Sequence, residues 1–166
     1  ILLELGSAKF YNRLLELVGN QRNELEDILR LRDISEMKRF VSKNDFEESL
    51  NQLLLSLPTC FGNIDLLHQM MDKCQDSVLL GALQELKDLY ESLDSKEGII
   101  FDLGMVPTMK YYTGFMMKGY SDQSANPILS GGRYDDLLPR FNVDKTAVGF
   151  CFHMNHILKA IEKEGE

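Results

Sequence analysis

The sequence predicts an α+β protein. A helical segment, residues 1–97, precedes an antiparallel sheet with a closing helix, residues 98–166, and the two together make one partial domain. Three observations carry this. Over roughly the first 95 residues, apolar side chains recur at helical spacing. At Asp94-Ser-Lys-Glu-Gly98 a polar turn interrupts, and the pattern changes to short apolar runs. Those runs are joined by short loops, which favours antiparallel pairing because parallel neighbours need long crossovers.

The elements follow in order. Ile1-Leu-Leu-Glu-Leu-Gly6 reads as a strand cut open, without a starting Met or a basic signal-peptide flank, as expected for a fragment of a longer polypeptide. Ser7 is a plausible N-cap for a helix carrying Phe10, Leu14, Leu17 and Val18 on one stripe, stopped by Gly19-Asn20. Leu25, Ile28, Leu29 and Arg32 mark a second helix, and Ile34, Met37 and Val41 a third. Asn44 or Asp45 is expected to cap a fourth, with Phe46, Leu50, Leu53, Leu54 and Leu57 buried and Pro58 ending it. Asn63 opens a fifth, and Asp76 or Ser77 the longest, through Leu93. Strands are then expected at Ile99–Leu103, at Tyr111–Tyr120, at Pro127–Ser130 entering a Gly-Gly turn, and at Ala147–Phe152. One or two helical turns are expected at Asp135–Phe141 and a closing helix at Met154–Lys163, with Glu162–Glu166 a solvated acidic tail.

Bulk properties exclude several functions. With 166 residues, 44% of them hydrophobic, the chain can bury one core. A net charge of −8 argues against nucleic-acid backbones as partners. No apolar run reaches the ~20 residues of a membrane helix, so no membrane partner is expected. Cys60, Cys74 and Cys151 are scattered without Cys-x-x-Cys spacing, which points to a reducing, cytoplasmic setting and to neither disulfides nor zinc. His153 and His156, three apart, lack a third ligand and read as surface or packing residues; no cofactor or metal is expected.

The chemistry concentrates near the end. Gly131-Gly132 before Arg133-Tyr134 would let backbone approach a ligand closely. Arg133 and Asp135 read as an internal ion pair fixing the turn; the sharper alternative is that Arg133 faces a ligand carboxylate. Tyr111, Tyr112, Tyr120 and Tyr134 offer flat walls with polar tips. Strand aromatics are more often core residues, but four tyrosines beside two glycine features favour a small-molecule pocket.

Asp102-Leu-Gly-Met-Val-Pro-Thr-Met-Lys-Tyr-Tyr-Thr-Gly114, Ser130-Gly-Gly-Arg-Tyr-Asp135 and Ala147-Val-Gly-Phe150 together resemble the second half of a histidyl-tRNA synthetase-type, class II aminoacyl-tRNA synthetase core. Leu3-Glu-Leu-Gly-Ser-Ala-Lys-Phe-Tyr11 resembles the entry to that family's helical insertion, so the likeness spans nearly the whole chain. The departures are informative. Where the synthetase pattern places an arginine for amino-acid activation, this chain has Pro107; where it places a strand-end glutamate, Lys118; where it places an ATP-gripping arginine, His156. Developing phosphate charge needs fixed cations, which proline and a mostly neutral imidazole do not supply.

That combination resembles the non-catalytic branch of the family, the regulatory subunits of ATP phosphoribosyltransferase. The resemblance implies no catalytic residue and no synthetase activity. It implies a short-form ATP phosphoribosyltransferase catalytic subunit as partner, activation of that subunit in the first step of histidine biosynthesis, and histidine feedback. It also implies hetero-oligomers and self-dimers at full length. Residues matching the L-histidine cleft are Tyr111, Tyr112, Gly114, Gly131, Gly132, Arg133 and Tyr134. The alternative implied by the same motifs is a fragment of a divergent histidyl-tRNA synthetase, an ATP-dependent ligase.

Overall fold

A computed structural model describes residues 1–164. Gly165 and Glu166, and with them the end of the expected acidic tail, lie outside the described residues. The element order is β1 (Leu2–Ser7), α1 (Ala8–Val18), α2 (Arg22–Leu31), α3 (Ile34–Lys43), α4 (Glu48–Ser56), β2 (Phe61–Gly62), α5 (Ile64–Lys73), α6 (Ser77–Ser92), β3 (Ile99–Asp102), β4 (Phe115–Tyr120), β5 (Leu129–Arg133), β6 (Val148–Phe152) and α7 (Met154–Glu164).

Local chemistry sets the helix starts. Ser7 accepts a hydrogen bond from the Phe10 amide, Asn63 from Asp65, and Asp76 from both Val78 and Leu79, each satisfying donors the first turn leaves free. Gly19 closes α1 at φ 60°, a conformation that favours glycine. The fourth helix corrects the expectation: α4 begins at Glu48, and Asn44 ends α3, its side-chain amide donating to the Phe40 carbonyl at 2.8 Å. A residue suited to cap one helix is used to terminate the preceding one. The expected turns at Asp135–Phe141 reduce to a short 3-10 turn, Leu138–Phe141.

The six strands form one sheet in the order β2-β3-β1-β4-β5-β6. Among the described residues the pairing is antiparallel except between β1 and β3, where Leu3, Glu4 and Leu5 lie beside Ile99, Ile100 and Phe101 in parallel. The helical segment from α1 to α6 is the crossover that a parallel pair requires. Strand β1, from the helical segment, therefore sits inside the sheet. The two-residue β2 carries no periodic signal and was not expected.

Two boundaries differ from expectation in ways that matter for the site. β4 starts at Phe115, so Tyr111 and Tyr112 lie in the preceding turn. There the Thr113 and Gly114 amides both converge on the Arg133 carbonyl instead of continuing the ladder. Gly131-Gly132 is no turn: both residues are inside β5, paired with Met117 and Met116 on one side and with Phe150 and Gly149 on the other.

Helices α1, α5 and α6 back one face of the β3, β1 and β4 strands. Leu5, Phe101, Leu14, Leu67, Leu83 and Leu86 are buried between them, and Tyr90 of α6 meets the Phe101 ring edge-on at 5.5 Å. The opposite face carries the candidate site.

Candidate functional site

Side chains alternate across a pleated strand, so every second residue shares a face. The register places Gly6, Met116, Gly132 and Gly149 in one row across β1, β4, β5 and β6, on the face away from the helices. Three of the four have no side chain, and each is roofed. A Cβ on Gly6 would lie 3.0 Å from Met105, one on Gly132 2.8 Å from the Tyr112 ring, and one on Gly149 2.5 Å from the Tyr134 hydroxyl. The glycines thus make room for aromatic rings lying on the sheet.

Those rings form one cluster. Tyr111 meets Tyr112 at 5.2 Å and Tyr134 at 5.4 Å, both edge-to-face, the geometry that aromatic quadrupoles favour. Tyr112 is only 9% exposed and packs with Ala8, Met105 and Met116. Its burial, then its phenolic neighbours, pushes its pKa up, so the hydroxyl stays neutral and able to donate. Tyr111 and Tyr134 are half-buried and border the cluster. Thr113 pins the far side, its hydroxyl accepting from the Asp135 amide at 2.9 Å.

Of the seven residues predicted for the ligand cleft, the structure gathers Tyr111, Tyr112, Gly132 and Tyr134. The other three do different work. Gly131 has the opposite parity: a Cβ there would strike the Gly149 carbonyl at 2.5 Å and the Met117 and Phe150 side chains at 2.7 Å, on the helix side of the sheet. Arg133, one residue beyond Gly132, also points away from the tyrosines. Its Nε donates to both Asp135 carboxylate oxygens at 2.9 Å, the internal ion pair that the spacing allowed. Gly114 leaves space for the Arg133 stem, 3.0–3.3 Å from a Cβ that would sit there. Consecutive residues of a strand cannot all face one ligand.

A second, polar constellation lies on the same face, one row along. Glu4 of β1 is directly opposite Lys118 of β4, and Tyr120 is two residues further. Burial, then the nearby Asp102 carboxylate, pushes the Glu4 pKa up, and Tyr120, Lys118 and Arg32 partly oppose this. The Tyr120 phenol, buried and facing Glu4, is pushed up to about 12. Asp102 is 1% exposed, held by the Arg32 guanidinium and by the Gly104 amide. Arg32 reaches it from a left-handed C-cap (φ 51°) and also covers the Phe61 ring. Sequence reading missed Glu4, Asp102, Arg32 and Gly149 as parts of this face. The alternation Leu2-x-Glu4-x-Gly6 against Met116-x-Lys118-x-Tyr120 could have flagged Glu4, once the strands were known to be neighbours; Asp102, Arg32 and Gly149 lie on other elements.

Neither position at which the synthetase pattern places an arginine carries a guanidinium here. Pro107 sits in the loop between β3 and β4, just after Met105 and Val106. His156, in the first turn of α7, donates from Nδ1 to the Pro127 carbonyl at 2.7 Å. His153 bonds Ser130 Oγ through Nε2 at 2.9 Å. Among the described residues no group of three or more His, Cys, Asp or Glu side chains is arranged to hold a metal ion, and no helix is long and apolar enough to cross a membrane. A groove of about 780 Å³ lies among the helices and is lined by Leu17, Phe46, Leu50, Leu53 and Leu79. None of the tyrosines lines it.

Comparison with known proteins places this geometry. The histidyl-tRNA synthetase family model matches residues 1–157. A Lactococcus lactis (strain IL1403) protein called ATP phosphoribosyltransferase regulatory subunit is 42% identical over 161 residues, covering 97% of this chain and 49% of that protein. A Bacillus halodurans crystal structure, described as an ATP phosphoribosyltransferase regulatory subunit/histidyl-tRNA synthetase, superposes with a TM-score of 0.84 at 28% identity, over 96% of this chain and 44% of that one. The ATP phosphoribosyl transferase (HisG:HisZ) complex of Thermotoga maritima contains a chain of the same fold, with a TM-score of 0.64 at 17% identity, over 91% of this chain and 53% of that one. The chain spans about half the length of the curated relatives it matches.

Proposed function

This chain belongs to the histidyl-tRNA synthetase family, and from that premise we propose that it is the ligand-binding half of a non-catalytic regulatory subunit of ATP phosphoribosyltransferase. In this role it binds L-histidine over the tyrosine floor and joins a short-form catalytic subunit, which it activates and helps place under histidine feedback. The observation that carries the reading is a roofed aromatic floor at which neither arginine position of the synthetase pattern holds an arginine. Proline stands at 107, and the imidazole of His156 is committed to a backbone carbonyl. Adenylate formation builds charge on an α-phosphate and needs fixed cations where that charge develops. Binding an amino acid needs only shape, neutral donors and a few charges. The names of the relatives favour the same branch.

The regulatory mechanism requires only a coupling free energy between two sites. About 1–3 kcal/mol suffices for useful feedback and is reciprocal: a partner that lowers histidine affinity is itself released by histidine. The test is calorimetric titration of the polypeptide with L-histidine, alone and mixed with a short-form catalytic subunit whose turnover is followed. The expected result is saturable heat, copurification, and faster turnover that histidine represses. Absence of heat at millimolar histidine removes the ligand, and failure to copurify removes the partner. Histidine-dependent pyrophosphate exchange at ordinary synthetase rates would instead establish a divergent synthetase.

A further inference from the structure

We infer that Lys118 and Glu4 form a subsite for the two charged ends of a zwitterionic α-amino acid, Lys118 taking the carboxylate and Glu4 the ammonium. The inference rests on the reading of the tyrosine floor as an amino-acid site and adds the orientation of the ligand on it.

Geometry carries it. Glu4 and Lys118 are directly opposite on β1 and β4, so their Cβ atoms stand about 5 Å apart. The ammonium and carboxylate of an α-amino acid are joined through a single carbon, and a group that size fits between the two side chains. Lys118 closes no ion pair within 4 Å among the described residues, so its three donors are not spent on Glu4. Its neighbour in the row on β5 is Ser130, whose hydroxyl is held by His153. Among the described residues the side-chain hydrogen bond of Glu4 is with the Tyr120 hydroxyl, leaving acceptor positions on a carboxylate that has about four.

The tyrosine row supplies the rest of the ligand's length. Met116, between Gly6 and Gly132, lies two residues from Lys118 along β4, which is about 7 Å of strand. A side chain of the reach of histidine's, starting from a Cα over Lys118 and Glu4, brings its ring to Tyr112 and Tyr134. Half-burial strengthens the recognition, because charges removed from bulk water interact more strongly. Asp102 contributes by repelling the Glu4 carboxylate, a repulsion that an arriving ammonium relieves.

Calorimetry on the full polypeptide with three probes tests the assignment: L-histidine, histamine, which lacks the carboxylate, and imidazole-propionate, which lacks the ammonium. With the native protein, histidine is expected to bind at least about tenfold more tightly than either truncated probe, as charge-assisted bonds predict. Lys118→Met should weaken histidine by about tenfold and leave histamine within about twofold, while Lys118→Arg keeps histidine within about threefold. Glu4→Gln should weaken histidine and histamine and spare imidazole-propionate. If Lys118→Met and Glu4→Gln bind all three probes as the native protein does, while Tyr112→Ala abolishes histidine binding, the subsite is overturned and the cleft stands. If the native protein binds no histidine, both fall together.

Discussion

On β3 and β1 the central side chains that face the helices vanish from solvent, Phe101 at 0% exposed and Leu5 at 2%, and Met117 beside them on β4 is partly buried against the same core. On β6 the same alternation leaves Phe150 at 62% and Phe152 at 59%, two rings stacked edge-to-face on each other and covered by nothing among the described residues. The chemistry of the residues is the same and the register continues from strand to strand. What differs is the second layer, since α1, α5 and α6 back only one half of the sheet. Strand patterning assigns a side chain to a face; whether that face becomes core depends on an element arriving from elsewhere in the chain.

The comparison can be broken first at its apolar ends. Phe101→Ala should cost about 3–5 kcal/mol in denaturant unfolding, the range for a buried aromatic replaced by a cavity, whereas Phe150→Ala should change stability by less than about 1 kcal/mol. Equal losses would mean that β6 is covered in solution. A smaller effect probes where the two halves join. Gly132→Ala would force a Cβ to within 2.8 Å of the Phe115 carbonyl and the Tyr112 ring, and should cost about 1–3 kcal/mol as an overpacked site does. Gly62→Ala, whose nearest neighbour is 3.6 Å away, is the control and should be nearly silent. A melt showing Gly132→Ala unperturbed would remove the aromatic roof.

The smallest expected effect lies in the backing layer and reads out with pH. Asp76 caps α6 and holds Arg13 of α1 at 2.8 Å. The guanidinium, aided by the helix amides, holds its carboxyl below the ordinary range. A lowered folded pKa means that the stabilisation is present above the unfolded value, about pH 4, and disappears as the pH falls through the folded one. Asp76→Asn keeps a competent cap but not the ion pair. It should cost about 1 kcal/mol at neutral pH, with the gap to the native protein closing on acidification. A gap that stays constant with pH would locate the Asp76 contribution in the cap alone.

Much of this was legible in the residues. Ser7, Asn63 and Asp76 announce their helices because capping is settled within three residues of the cap. Tyr111, Tyr112, Gly132 and Tyr134 were expected together and are together. Gly131 and Arg133 were expected with them and are not, because a contiguous motif inside a strand is divided between two faces. Gly131-Gly132 looked like a turn since glycine pairs usually punctuate. Here the missing side chains serve close packing on both sides of β5. Asn44 could cap either of two helices, and only the packed arrangement chose.

Periodicity, caps and the tyrosine–glycine motif belong to the sequence by itself, because each is an interaction among residues a few positions apart. Tertiary structure alone decided that β1 lies parallel to β3, that Glu4 stands opposite Lys118, and that one half of the sheet is covered while the other is open. These depend on contacts made across the whole helical crossover. Their free energy comes from burial shared among distant segments, and no local pattern of residues encodes which segments will meet.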